Sequence, residues 1–224
     1  EQVEPIFKTQ YNQMKDFDSF YGLSKSLSSM AKWDELMSYS GSFQKLPPHQ
    51  KRDASVFFAE AAFYTDQWSL FDDFLKYLPE NSARGMALKA LNAIHKGDTK
   101  TADESIKSGF SILASRPLTF WANKQRVHPE TMQQAQELVE ILEIKNLISK
   151  TNNQEHIKEV WKERLLTAPQ EFDIWFRLIA NRVKILGLHD DNLITLFAMK
   201  SALENKIHNN AFHILFPDFD FDTS

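Results

Sequence analysis

Apolar and polar positions alternate with helical spacing along most of the chain. Phe7, Tyr11 and Met14 share one face, and Leu23, Leu27, Met30 and Ala31 continue at the same interval, which predicts a first helix and a second ending near Lys32. Trp33, Leu36 and Met37 open the partner helix, and Gly41 with Pro47-Pro48 then punctuates the chain. In Phe57–Leu78 the small residues Ala59, Ala61 and Ala62 run into Phe63-Tyr64. A polar break, Thr65-Asp66-Gln67, follows, and then a stripe of Trp68, Leu70, Phe71, Phe74, Leu75 and Leu78. This predicts two antiparallel helices, Asp53–Tyr64 and Gln67–Tyr77, joined by a tight turn. Pro79-Glu80-Asn81-Ser82 breaks the chain, with Asn81 or Ser82 as N-cap. Met86, Leu88, Leu91 and Ile94 carry the next helix, stopped by Lys96-Gly97-Asp98, and Thr101–Ala114 is its partner.

Beyond Arg116-Pro117, His128-Pro129-Glu130 opens a long helix over Thr131–Ser149, with Pro129 suited to its first turn. Ile157, Val160, Trp161, Arg164 and Leu165 make another, closed by Ala168-Pro169. Phe172–Leu186 follows, capped by Gly187, and Asn192–Ile207 is the last helix. No period-two alternation persists, so no sheet is expected. The fold class is all-α, an α-solenoid of antiparallel tetratricopeptide- or HEAT-like hairpins with a period of about 31–35 residues. The chain reads as a single domain over 1–224, with three degenerate hairpins in 1–116, longer helices of the same solenoid in 117–207, and an irregular tail in 208–224. Trp33 and Trp68 occupy equivalent repeat positions and read as core spacers. Trp121, beside Phe120 in a less regular stretch, reads as an exposed anchor for a protein partner.

Composition narrows the function. Among 224 residues, 26 basic and 30 acidic side chains give a net charge of −4, with no basic footprint for nucleic acid or a membrane surface. Six glycines are too few for a large β-protein or a dinucleotide-binding sheet, and 18 phenylalanines with no cysteine place stability in packing. No apolar run reaches the roughly 18–20 residues of a membrane helix. The N-terminus carries no basic-then-apolar secretory pattern, and it begins with Glu, which suggests an excised segment or a processed product. An intracellular setting, cytoplasmic or nuclear, is the natural expectation.

Candidate chemistry is sparse. Phosphoryl transfer needs a Gly-rich loop, a catalytic Asp and an Asp-Phe-Gly metal site, and Asp218-Phe219-Asp220-Phe221 has neither the glycine nor an upstream catalytic loop. His208 and His213 stand five apart, about 140° around a helix, so they do not converge on a metal. His189-Asp190-Asp191 fits a helix start. Asp72-Asp73 and Asp190-Asp191 diverge by about 100° within each pair and suit solvated faces better than acid–base work. No catalytic residue and no metal ligand is assigned.

Three stretches carry a family resemblance. Ala61-Ala62-Phe63-Tyr64-Thr65-Asp66-Gln67-Trp68-Ser69-Leu70-Phe71 is one, and Leu78-Pro79 with Gly85 and Ala90–His95 is the second. The third is Ile157–Leu165 with Trp175, Arg182 and His189-Asp190-Asp191. Their order over roughly 20–195 resembles the helical FAT region of phosphatidylinositol-3-kinase-related kinases, most of all the target-of-rapamycin kinases; the family's transcription-cofactor pseudokinases share part of it. The resemblance implies a non-catalytic scaffold of a large Ser/Thr protein kinase. It would support the kinase domain of the same chain and bind regulatory subunits. It also implies an inositol polyphosphate, inositol hexakisphosphate being the natural example, held by basic side chains. Lys145 matches a family Lys, and Lys124 or Arg126 stands in for an Arg, while Phe197 falls where a further basic residue is expected. The alternative is a freestanding tetratricopeptide-like adaptor that binds peptide motifs; an all-helical enzyme is a third reading, disfavoured by the lack of convergent polar residues.

Overall fold

The computed structural model describes residues 3–115, 119–121, 124–126, 129–149, 154–167 and 172–187. Asn192–Ile207, the 208–224 tail, His128, the 189–191 cluster and the His208/His213 pair lie outside the described residues. The chain divides after Pro79 into two compact units, each taken here by itself.

The first unit runs α1 (Val3–Met14), α2 (Phe17–Ser29), α3 (Trp33–Ser38), α4 (Ser40–Gln44), α5 (Pro48–Tyr64) and α6 (Trp68–Leu75). Its opening helix pair is cut earlier than the apolar spacing suggests. Lys15 turns at φ 51°, and Asp16 caps α2 by accepting from the Ser19 N–H at 2.8 Å. That bond lowers the Asp16 pKa below the usual carboxylate range. Pro47-Pro48 starts a helix rather than breaking one: Pro47 is the N-cap of α5 and Pro48 its first residue, where a missing N–H costs nothing. Gly41 is likewise inside α4.

Helix α5 packs against α2, α3, α4 and α6. It can do so because Ala54, Ala59, Ala61 and Ala62 are buried and let those neighbours approach closely. Phe58, fully buried, sits at the centre of this unit's core. Its ring stacks on Phe20 at 5.7 Å and meets Phe43 at 4.8 Å and Phe74 at 5.5 Å, separations typical of favourable aromatic pairs.

The hairpin turns repeat. Ala31, Asp66 and Gly97 adopt φ of 54°, 57° and 75°, at successive separations of 35 and 31 residues. In each turn the following residue's N–H reaches back five residues: Lys32 to Leu27 O, Gln67 to Ala62 O and Asp98 to Ala93 O, all 2.9 Å. A left-handed residue followed by this backward bond is the standard way to terminate a helix while satisfying its last carbonyls. Trp33 and Trp68 are therefore equivalent, each the first residue of the returning helix. Their burial differs, which corrects the expectation of two core spacers. Trp33 is 4% exposed and lies 4.5 Å from the Tyr64 ring, whereas Trp68 is half-buried, edge-on to Phe63 and Phe71.

The second unit begins with α7 (Ala83–His95) and α8 (Thr99–Ala114). Ser82 caps α7, accepting from the Gly85 N–H at 3.0 Å, and Asp98 caps α8 through Thr101 N–H. Next come β1 (Thr119–Trp121) and β2 (Lys124–Arg126), paired antiparallel with Thr119 opposite Arg126 and Trp121 opposite Lys124. This two-stranded ribbon corrects the expectation of no sheet; three-residue strands are too short for alternation to show in a sequence window. Helices α9 (Pro129–Ile148), α10 (Gln154–Thr167) and α11 (Phe172–Leu186) complete the described part of the unit, and Gly187, at φ 63°, ends α11. The described parts of both units are helix pairs apart from the ribbon, and the all-α repeat class holds. Helix α9 packs on α7, α8 and α11. Gly109 of α8 permits a close approach of α9, since a Cβ there would lie 2.9 Å from a Leu138 methyl.

Candidate functional site

The polar chemistry of the second unit is concentrated on one helix. Glu137, Glu140 and Glu143 follow one another at intervals of three on α9, so successive carboxylates step about 60° around its axis. Together they reach α7, α11 and α10. Glu137 pairs with Arg84 of α7 and also accepts from Asn181 Nδ2 of α11 at 3.2 Å. Glu140 Oε2 receives Arg182 of α11 through Nε at 3.0 Å and Nη2 at 2.6 Å. Glu143 receives Arg164 of α10 in a two-pronged pair, Nη1 to Oε2 at 2.7 Å and Nη2 to Oε1 at 2.8 Å, and also the Trp161 indole N–H at 2.7 Å. Such forked charge-assisted bonds fix orientation as well as distance. The Arg182 guanidinium also lies over the Trp161 ring at 4.6 Å, which joins the second and third pairs into one network.

Burial grades these pairs. Glu137, Glu140, Arg84 and Arg182 are all buried, Glu140 completely, while Glu143 and Arg164 lie nearer the surface. Burial pushes the Glu140 carboxyl above its ordinary pKa, and the Arg182 charge and hydrogen bonds pull against that rise. The hydrogen bond to Glu143 holds Arg164 above its ordinary value. A carboxylate committed to a buried guanidinium is not free to exchange protons with a substrate, so the network ties helices together and supplies no acid–base pair. Among the described residues, no cluster of three His, Cys, Asp or Glu could hold a metal ion. No described helix is long and apolar enough to cross a membrane.

The sequence-predicted residues fall as follows. Lys145, on α9, pairs with Asp103 of α8. Lys124 and Arg126 lie at the two ends of β2, and Trp121 ends β1 opposite Lys124. Thus Trp121 and the two cations share one ribbon, while Lys145 sits far along the helix that follows it. The carboxylate series on α9 was missed. Its signal is Glu-x-x-Glu-x-x-Glu inside a helix, together with arginines placed in otherwise apolar surroundings, above all Arg182 within Leu178–Val183. Arg164 and Arg182 are among the residues that carry the family resemblance, and their pairing with α9 gives those positions a physical role.

Stacked antiparallel helix pairs cross-tied by interhelical ion pairs define a helical-repeat scaffold class. A profile of the FAT domain family matches residues 57–211, and the chain belongs to that family. Its similar proteins include the serine/threonine-protein kinase mTor of Drosophila melanogaster, 23% identical over 181 residues, covering 79% of this chain and 7% of that protein. The serine/threonine-protein kinase TOR2 of Saccharomyces cerevisiae is 22% identical over 174 residues, covering 76% of this chain and 7% of its own length. The target of rapamycin homolog of Caenorhabditis elegans is 26% identical over 180 residues, covering 73% of this chain and 6% of its own length. The chain thus corresponds to a small part of each of these relatives, and the resemblance to a FAT region of the target-of-rapamycin type holds.

Proposed function

We propose that the chain is a non-catalytic helical scaffold segment of a large phosphatidylinositol-3-kinase-related Ser/Thr kinase, most like the target-of-rapamycin kinases. In this role it supports the kinase domain of its own polypeptide and binds regulatory subunits in the cytoplasm or nucleus. The observation that carries the reading is the FAT match over 57–211 on a chain whose buried charges hold helices to one another. The test has two parts. The gene's downstream sequence is expected to encode a kinase domain, and the chain is expected to co-elute with that domain when the two are expressed as separate polypeptides. A gene without a kinase domain, and a chain that instead binds short peptides, would overturn the proposal in favour of a freestanding adaptor.

The same proposal includes an inositol polyphosphate site using Lys124, Arg126 and Lys145. Lys145 is supported as an anion ligand by the way its pair opens to solvent on one side: Lys145 is largely covered, but its partner Asp103 is more than half exposed, so a phosphate can compete for the ammonium there. Calorimetry with inositol hexakisphosphate is expected to show Asp103→Asn tightening binding by about threefold and Lys145→Gln weakening it. Heats of binding absent from the parent chain would refute the site.

A further inference from the structure

Helix α10 is anchored differently from its neighbours. Of its described side chains only Ile157 and Trp161 are buried, four residues apart on one stripe, while Glu155, His156, Glu159 and Glu163 face solvent. Helix α11, of similar length, buries Phe176 and the unbroken run Leu178–Val183. Ile157 and Trp161 of α10 enter a small cluster with Ile144 and Leu147 of α9 and Ile185 and Leu186 of α11. The hydrogen bonds from Trp161 and Arg164 both end on a single carboxylate, Glu143.

The seat for α10 exists without α10. Arg182, which lies over the Trp161 ring, is fixed by Glu140, and Glu137 is held by Arg84 and Asn181; none of these bonds involves α10. Withdrawing α10 therefore leaves both buried ion pairs intact. Glu143, which loses the Trp161 and Arg164 bonds, is already partly exposed and is readily solvated. A 14-residue helix is at the margin of independent stability, so once unseated it is free to open.

We propose that α10 is a latch, seated through Trp161 and clasped by Glu143, that opens as a unit while α9 and α11 stay paired. Opening uncovers the apolar faces of Ile144, Leu147, Ile185 and Leu186. The device follows from the geometry of this unit and does not depend on the proposed scaffold function.

Hydrogen exchange of the full chain, read by peptide mass spectrometry, tests it. Amides of α10 are expected to exchange faster than those of α9 and α11. Glu143→Gln is expected to raise α10 exchange about tenfold further and leave the protection of α9 and α11 unchanged. Equal protection of the three helices in the parent chain overturns the latch. So does a Glu143→Gln effect that spreads to α9 and α11, or none at all. Should Glu143→Gln fail to fold, Arg164→Gln at the half-exposed end of the same pair is expected to give the same selective rise.

Discussion

Replacing Arg182 by Met leaves Glu140, fully buried, facing hydrocarbon where a guanidinium had been. Both bonds to Glu140 Oε2, at 3.0 and 2.6 Å, are lost, and the long contact from Gln136 at 3.5 Å does not replace them. Removing one partner of a buried pair costs about 3–5 kcal/mol, because the remaining charge is left desolvated. Loss of the contact with the Trp161 ring accounts for about 1–2 kcal/mol of that total. Folded proteins are stable by only about 5–15 kcal/mol, so the Arg182→Met midpoint in urea should fall steeply. The double variant Glu140→Gln/Arg182→Met removes the stranded charge and should recover part of the loss, the buried amide and the missing ring contact remaining as costs.

The pH dependence has a definite sign. Burial raises the Glu140 pKa, and in Arg182→Met only the weaker pulls of the Gln136 hydrogen bond and the Arg164 charge oppose that rise. A carboxyl raised in the folded state gives stability that is complete below its unfolded value and is lost as pH rises through its folded value. The deficit of Arg182→Met against the parent should therefore be large near neutral pH and shrink on acidification. A variant within about 1 kcal/mol of the parent at neutral pH, or a gap that widens in acid, would refute the argument that Glu140 depends on Arg182.

Two further substitutions probe the repeats. Phe58→Ala should destabilise the chain by about 3–5 kcal/mol, and Trp68→Ala by roughly half as much because its ring is already half in water; chemical denaturation giving the reverse order would contradict the assignment of the core centre. Gly97→Ala should cost about 1–2 kcal/mol in the same assay: its φ is 75°, and an added Cβ would touch nothing, so the cost is one of backbone conformation alone.

The helical pairs were legible because apolar spacing and helix-stop residues agree over most of the chain. Ser82, Pro129 and Gly187 stand where the sequence places a cap, a first-turn proline and a helix end. The hairpin turns were legible only in part. Gly97 advertises a left-handed residue, but Ala31 and Asp66 adopt the same backbone with side chains that favour it far less, so the repeat is written in dihedral angles more than in letters. Trp68 misled because an equivalent place in a repeat does not ensure an equivalent neighbour: Trp33 meets Tyr64 at 4.5 Å, while Phe63 and Phe71 meet Trp68 edge-on at 5.7 and 5.8 Å. The α9 network was illegible for a different reason. Its partners come from residues up to 53 positions away, and nothing local tells a glutamate that will be solvated from one that will be buried against an arginine.

Apolar side chains can slide past one another at small cost, but the carboxylates of α9 cannot. Shifting that helix by one residue along its neighbours would swing all three by about 100° and strand charges in hydrocarbon. Its alignment is therefore specified electrically, like a key cut with three teeth. A variant of this chain can exchange one apolar side chain of α9 for another and keep that alignment, provided each tooth and its arginine change together.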